Sequence, residues 1–286
     1  MVAPPAVRAR AALQVKRIQV FLPPVSSARS SVRRVTFEVA AGAYDRFMGR
    51  YSRPLASRFA DWSGVEPPGR AIDVGCGTGA LTRVLVDRLG VEHVSAVDSS
   101  QSFVAALRRD WPALDVQVGQ AERLPYPDDL FDHALAQLVV HYMTDPVAGL
   151  REMGRVTRPG GTVSACVWDL GGDDNPLSLF WQAARELDPE ADDESWFPGA
   201  HEGELAQLFD RAGLAQIEDS SLTVSVRHDS FEEWWVPYTL GVGPPGVYVA
   251  SLDDLSRVRL RDRCRELVPP APFDLDVTAW TVRARA

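Results

Sequence analysis

The stretch Ala71-Ile-Asp73-Val-Gly75-Cys-Gly77-Thr-Gly79-Ala80 decides the fold. A short apolar run reads as a buried strand and enters three glycines at alternate positions. A helical pattern follows, with Leu81, Leu85 and Leu89 on one face, until Gly90 ends it. Glycine is needed where a turn takes positive φ, or where backbone must approach a ligand with no Cβ in the way. The free N–H groups of the helix's first turn then favour an anionic group such as a carboxylate or phosphate. Val94-Ser-Ala-Val-Asp98 reads as the next strand, and Asp98 lies 23 residues after Gly75. A carboxylate at that distance can accept hydrogen bonds from both ribose hydroxyls. These features point to an adenosine-containing ligand without saying which, because Gly75-x-Gly77-x-x-Ala80 also satisfies the dinucleotide fingerprint. A tight turn with no ligand is the plainer reading of the same glycines.

Working outward, the alternation continues. Phe103 to Arg109 is a helix, Leu114 to Val118 a strand of period two, and Phe131 to Gln137 a strand. Asp145 and Pro146 open a helix as N-cap and first residue, with Leu150 and Met153 on its apolar face. Pro159-Gly160-Gly161 turns the chain into a strand over Thr162 to Trp168. Strands alternating with helices, each pair joined by a right-handed crossover, specify an α/β fold. Its expected form is Rossmann-like and doubly wound, a mostly parallel sheet with helices on both faces. Upstream, Leu55, Phe59 and Trp62 mark an amphipathic helix stopped by Pro67-Pro68-Gly69. Residues 171–200 are rich in Gly, Asp and Pro and contain Trp181, Trp196 and Phe197. Beyond them come a helix from Glu204 through Phe209 ended by Gly213, a strand-like Ile217 to Val226, a short aromatic helix over Asp229 to Tyr238, and an antiparallel last strand at Val277 to Val282. The C-terminal third therefore reads as lid-like insertions plus the last strands. No segment repeats as a solenoid would.

Charge divides the chain. Of 30 basic side chains, seven (Arg8, Arg10, Lys16, Arg17, Arg29, Arg33, Arg34) lie in residues 1–37, which contain no acid. The rest of the chain keeps 23 basic against 39 acidic residues, a formal −16 that repels phosphate backbones and weighs against a nucleic-acid partner. The first 37 residues read as a disordered or misassigned basic leader, or alternatively as a targeting arm. Residues 38–286 read as one domain, with a ligand-binding core over 42–170 and pocket elements over 171–286. Cys76, Cys166 and Cys264 form no CxxC pair or metal spacing, and their odd number suits a reducing compartment, so the cytoplasm is expected. No apolar run approaches the roughly 18 residues that cross a bilayer, so no membrane partner is expected. Oligomeric state is not legible.

The motifs resemble those of class I S-adenosylmethionine-dependent methyltransferases. Asp73-Val-Gly-Cys-Gly-Thr-Gly79 is similar to their first motif, Val97-Asp98-Ser99 to the acidic second, and Gly119-Gln-Ala-Glu-Arg-Leu-Pro125 to the third. Phe131-Asp132 and Arg158-Pro-Gly-Gly161 occupy the places of the fourth strand and of the turn before the fifth. The small-molecule enzymes related to quinone biosynthesis, the type 11 group, are the subgroup resembled, over residues 42–170. The resemblance implies S-adenosyl-L-methionine as cofactor. Gly75, Gly77 and Gly79 would line its methionine part, and Asp73 would hold the loop. Asp98 would bind the ribose, Ser99 would border the adenine, and Ala121 and Glu122 would meet the adenine edge. Gln137 would lie beside the methionine amine. Gln120 stands where the family usually has Asp, and its amide oxygen can still accept from the adenine amino group. Tyr44, Met48, Tyr51 and Ser52 resemble a helix that closes over the cofactor; a packing helix is the plainer reading.

A sulfonium already activates its methyl group, so transfer asks chiefly for alignment and exclusion of water. A base is needed only when the acceptor must lose a proton. His141, just past the fourth strand, is the best-placed base, ahead of His133, His201 and His228; a structural histidine is the alternative. Trp181, Trp196, Phe197, Phe231, Trp234 and Trp235 suggest an apolar or aromatic small-molecule acceptor. Adjacent Trp234 and Trp235 cannot both face one core on a helix, so one is expected to face a cavity or partner. Two other functions use the same loop: a non-catalytic S-adenosylmethionine-binding protein, and an NAD(P)-dependent oxidoreductase. The sole lysine, Lys16, excludes a Tyr-x-x-x-Lys dyad for the latter.

Overall fold

Strand alternation sorts the core onto two sheet faces. A computed structural model describes residues 41–191 and 193–286 of the chain; the leader expected over 1–37 lies outside the described residues. The parallel strands are β1 (Ala71–Val74), β2 (Val94–Asp98), β3 (Asp115–Val118), β4 (Phe131–Gln137) and β5 (Thr157–Trp168). β6 (Ala215–His228) and β7 (Phe273–Arg285) complete a seven-stranded sheet of order β3-β2-β1-β4-β5-β7-β6, with β7 antiparallel to both neighbours. Along β5, Val163, Ala165 and Val167 enter one hydrophobic cluster while Cys166 and Trp168 enter the other, as the period of two requires. The mostly parallel, doubly wound architecture with antiparallel last strands is the one expected.

Helices cover both faces. α1 (Ala41–Tyr44), a π-helical turn (Asp45–Gly49) and α2 (Arg50–Trp62) precede the sheet, and α2 packs on α3 (Ala80–Leu89). α4 (Gln101–Asp110) follows β2, and α5 (Pro146–Val156) starts on Asp145, whose side chain accepts from Ala148 N at 3.0 Å. α5 packs on α7 (Glu204–Ala212), which ends at left-handed Gly213. α6 (Ser178–Leu187) sits in the Gly/Asp/Pro-rich stretch, and α8 (Phe231–Trp235), α9 (Gly243–Ser251) and α10 (Asp254–Leu267) form an insertion between β6 and β7. Among the described residues, no helix is long and apolar enough to cross a membrane.

Three expectations are corrected. Pro159-Gly160-Gly161 is a bulge within β5, where Phe131 pairs with Thr157 but His133 already pairs with Thr162; Gly160 takes φ +78° to accommodate it. The short aromatic helix is α8 followed by a 3₁₀ turn at Val236–Leu240. Trp234 and Trp235 are both buried. This five-residue helix of the insertion is covered on more than one side, so Trp234 meets Tyr238 while Trp235 lies near Phe180 of α6. Trp181 is core as well, whereas Trp196 is half exposed.

Candidate functional site

The strand order reverses beside β1, which leads on to β2 on one side and lies against β4 on the other. The carboxyl ends of these strands open a crevice there. Asp73, Asp98 and Gln137 lie at those ends, and the glycine loop leaves β1 between them. The three glycines, all of positive φ, serve different purposes. A Cβ on Gly75 would lie 2.3 Å from Val139 Cγ2, and one on Gly79 would lie 2.8 Å from Leu107 Cδ2. Those two allow close packing. A Cβ on Gly77 would meet nothing within 4 Å, so its backbone faces open space where a ligand can approach.

The carboxylates hold this loop. Thr82 Oγ1 donates to Asp73 Oδ2 at 2.6 Å, tying the strand end to α3. Gly77 N and Ser100 N each donate to Asp98 at 2.8 Å, which fixes both oxygens while leaving each a further lone pair. Burial pushes the Asp73 carboxyl up to about 7 against the opposing bond from Thr82, and Asp98 adds to the rise. Burial also raises Asp98, against the two amide bonds. The crevice is thus a buried, acidic place that favours positive charge.

Gln137 Nε2 donates to the Ser52 carbonyl at 2.9 Å, joining the end of β4 to α2. Its Oε1 is buried without a hydrogen-bond partner among the described residues. An orphaned acceptor at a strand end, an open glycine cradle and a paired carboxylate fit the amine, methionine and ribose of S-adenosylmethionine respectively. Tyr44 reaches the same place: burial, with Asp98 near, pushes its hydroxyl up to about 12. Ser99 is exposed beside Asp98. Gln120 is exposed and bridges to Arg123, Ala121 is half-buried, and Glu122 Oε1 accepts from Thr144 N at 2.7 Å and Asp145 N at 3.1 Å. Glu122 therefore holds the start of α5, a use the sequence did not suggest.

Beneath α1 lies a second space, lined by Tyr44, Phe47, Met48, Leu138, His141 and Glu194 among others. Its volume of about 30 Å³ exceeds the roughly 10–15 Å³ that one water needs. Leu138 enters it from φ +60°, a conformation that L side chains rarely adopt. His141 is buried, its Nδ1 has no hydrogen-bond partner among the described residues, and its ring lies 4.0 Å from that of Tyr142 and 5.5 Å from that of Phe197. Burial pushes its pKa down to about 3, so the imidazole is neutral and accepts rather than carries a proton. Trp168, Leu170, Glu194 and Gly243 also line the space and were not anticipated as site residues. Glu194 follows an acidic run that reads as a solvated loop, so no signal marked it.

The other histidines stand elsewhere. Arg50 Nη1 donates to His228 Nδ1 at 2.7 Å, which leaves Nε2–H to donate to the Tyr51 hydroxyl at 3.2 Å. That cluster ties α2 to β6. His133 is half-buried beside Gly69, and His201 lines a groove with Trp196 and Phe197.

These shifts predict how stability depends on pH. Between about pH 5 and 6.5, His141 (about 3) and His228 (pushed down to about 4 by burial and Arg50) hold no proton when folded, but each takes one when unfolded. Asp73 opposes them, because its folded carboxyl keeps a proton that the unfolded chain has lost. The unfolded state binds about one proton more, so stability rises with pH over this window by up to about 1.4 kcal/mol per unit. Above about pH 7 the unfolded histidines and folded Asp73 have both lost their protons, so the two states bind equal numbers and the slope falls to about zero. Thermal melts from pH 5 to 8 should show a Tm that rises to a plateau near neutrality, and a Tm that falls steadily from pH 5 upward would contradict these assignments.

Residues 72–165 match the family profile described as a methyltransferase domain. The chain is 33% identical over 127 residues to a malonyl-[acyl-carrier protein] O-methyltransferase of Serratia marcescens, covering 44% of this chain and 49% of that protein. It is 29% identical over 172 residues to a demethylmenaquinone methyltransferase of Lysinibacillus sphaericus, covering 54% and 73% respectively. The matched region thus spans about half the length of the Serratia relative. A Bacillus halodurans C-125 protein described as a methyltransferase superposes with a TM-score of 0.53 at 14% identity, over 80% of this chain and 97% of that one, a likeness of fold.

Proposed function

We propose that this chain, whose residues 72–165 are a methyltransferase domain, is an enzyme that transfers a methyl group from S-adenosylmethionine to an apolar or aromatic small molecule. The observation that supports it most is the open cradle at Gly77 beside the doubly held Asp98 carboxylate. Bound there, the cofactor supplies a methyl group already activated by its sulfonium. Asp98 orients the ribose, Gln137 Oε1 accepts from the methionine amine, and the Gly77 backbone borders the methionine part. Ser99, Gln120 and Ala121 border the adenine. Tyr44, Met48 and Ser52 form the cover that excludes water, and neutral His141 accepts a hydrogen bond from the acceptor.

The charge of the crevice discriminates between nucleotides. Asp98 can serve the ribose of either nucleotide, but Asp73 at the end of β1 adds a second acid that disfavours a pyrophosphate and favours the sulfonium and ammonium of S-adenosylmethionine. That disfavours the oxidoreductase reading. A space of about 30 Å³ is too small for an acceptor, so entry requires the cavity wall to move. Residues 38–286 act as one unit in this reading, with the cytoplasm as its compartment. Incubation with methyl-labelled S-adenosylmethionine and a panel of apolar and aromatic small molecules tests the activity. Transfer of label to one class is expected. Tight cofactor binding with no transfer to any class would instead indicate a non-catalytic binding protein.

A further inference from the structure

A groove of about 320 Å³ opens beside the cavity beneath α1, and its volume is within the range of small-molecule sites. Its walls are residues 195–199 and the side of α7 that carries Leu208 and Arg211. Those loop residues lie at the carboxyl end of β5. Gly171 N donates to the Ala200 carbonyl at 3.2 Å, and a Cβ on Gly199 would lie 3.7 Å from Val167 Cγ2. The groove therefore stands at the end of the sheet where open α/β folds bind ligands. Trp196 lines it at 49% exposure, more than any other aromatic side chain among the described residues. Phe197 lines it too but is buried, its ring 4.5 Å from that of Trp196, 5.5 Å from that of His141 and 5.3 Å from that of Tyr142. His141 and Tyr142 line the cavity, so the Phe197 ring stands between the two spaces.

We propose that the groove is the entrance for an aromatic acceptor and that Phe197 decides what passes from it toward the cofactor. The inference rests on the methyltransferase reading above and names its acceptor class and its route. The cavity alone holds about 30 Å³, so a ring that reaches His141 must take the place of a ring already there. Phe197 is that ring. Its backbone is held on both sides, since its N–H donates to the Glu194 carbonyl and its carbonyl accepts from Ala200 N, each at 3.1 Å. The side chain is the part that moves, by passing to another staggered rotamer with the groove open beside it.

An aromatic body suits both ends of this path. Offset and edge-on ring pairs gain more than their buried area alone supplies. An incoming ring thus recovers against His141 and Tyr142 what Phe197 gives up, and a saturated ring of the same size recovers less. The outer end of a fused ring system stays against Trp196. A hydroxyl on the inner end donates to His141, whose Nδ1 has no hydrogen-bond partner among the described residues.

Calorimetry on the full chain saturated with S-adenosylhomocysteine tests this, with 2-naphthol and its saturated counterpart 2-decalol as probes. The naphthol should bind the more tightly. Trp196→Ala should weaken naphthol binding about 2- to 12-fold, and Trp196→Phe should restore most of the loss. Phe197→Ala should tighten it at least about tenfold, because no ring is left to displace; a Phe197 that serves packing alone would give no such gain. The proposal is overturned by no detectable naphthol binding, by decalol binding as tightly, or by a folded Trp196→Ala protein of unchanged affinity. It is equally overturned if folded Phe197→Ala binds no more tightly than the wild type. If Phe197→Ala fails to fold, Phe197→Leu takes its place and should tighten binding by a smaller factor, with unchanged or weaker binding again contrary. Failure of S-adenosylhomocysteine itself to bind, seen before any probe is added, overturns the cofactor reading, whereas the other failures leave that reading standing.

Discussion

Asp98→Ala should weaken S-adenosylhomocysteine binding about 10- to 100-fold. The estimate follows from charge-assisted hydrogen bonds worth roughly 1.5–3 kcal/mol, at 1.4 kcal/mol per tenfold change. The side chain does two things at once. It accepts from Gly77 N and Ser100 N and so shapes the loop, and in the proposed function its remaining lone pairs accept from the ribose. Asp98→Asn keeps one carbonyl acceptor and should lose less affinity than Asp98→Ala. Calorimetric titration of both variants checks the order, with circular dichroism to establish folding. Unchanged affinity in a folded Asp98→Ala protein would remove the ribose assignment.

The second large effect separates two glycines that look equivalent in the sequence. Gly75→Ala places a methyl 2.3 Å from Val139 Cγ2 at a backbone φ of +74°. Left-handed strain of roughly 1–2 kcal/mol and overpacking of about 1–3 kcal/mol add to a loss of roughly 2–5 kcal/mol. That is a large part of a typical stability of about 5–15 kcal/mol. Gly77→Ala, at φ +52° with nothing within 4 Å, carries the strain alone. Its methyl enters the cradle instead, and an overpacking penalty of about 1–3 kcal/mol there converts to an affinity loss of roughly 5- to 150-fold. Thermal melts and calorimetry should therefore place the two variants in opposite orders. Val139→Ala should restore part of the stability lost by Gly75→Ala and do nothing for Gly77→Ala. The same order on both readouts would mean that Gly77 serves packing.

The sequence discloses the cofactor half of this molecule better than the acceptor half, and the reason is periodicity. From Ala71 to Trp168, buried strands alternate with amphipathic helices between glycine and proline punctuation, so each element follows from its own pattern. In α10 only Leu260 and Cys264 are fully buried among many charges, and α9 begins Gly-Pro-Pro-Gly. Neither offers a readable apolar face. The Trp234-Trp235 expectation assumed one covered side, whereas Tyr238 of the following 3₁₀ turn and Phe180 of α6 each lie against one of the two rings.

The same limit applies to the site. Gly75, Gly77, Gly79 and Asp98 were legible because a strand-to-helix turn demands those residue types at those spacings. That only Gly77 faces open space depends on Val139 and Leu107, which approach from distant elements. The positive φ of Leu138, the cap that Glu122 makes on α5 and the burial of Glu194 are tertiary facts with no local signature.

The central claim is that the crevice at Gly77 and Asp98 takes an adenosyl-sulfur ligand. Titration of the purified protein with S-adenosylmethionine, S-adenosylhomocysteine, NADH and NADPH tests it most directly. Micromolar binding of the first two alone is the expected result. Binding of a nicotinamide dinucleotide in their place would contradict the account and make the glycine loop a dinucleotide site.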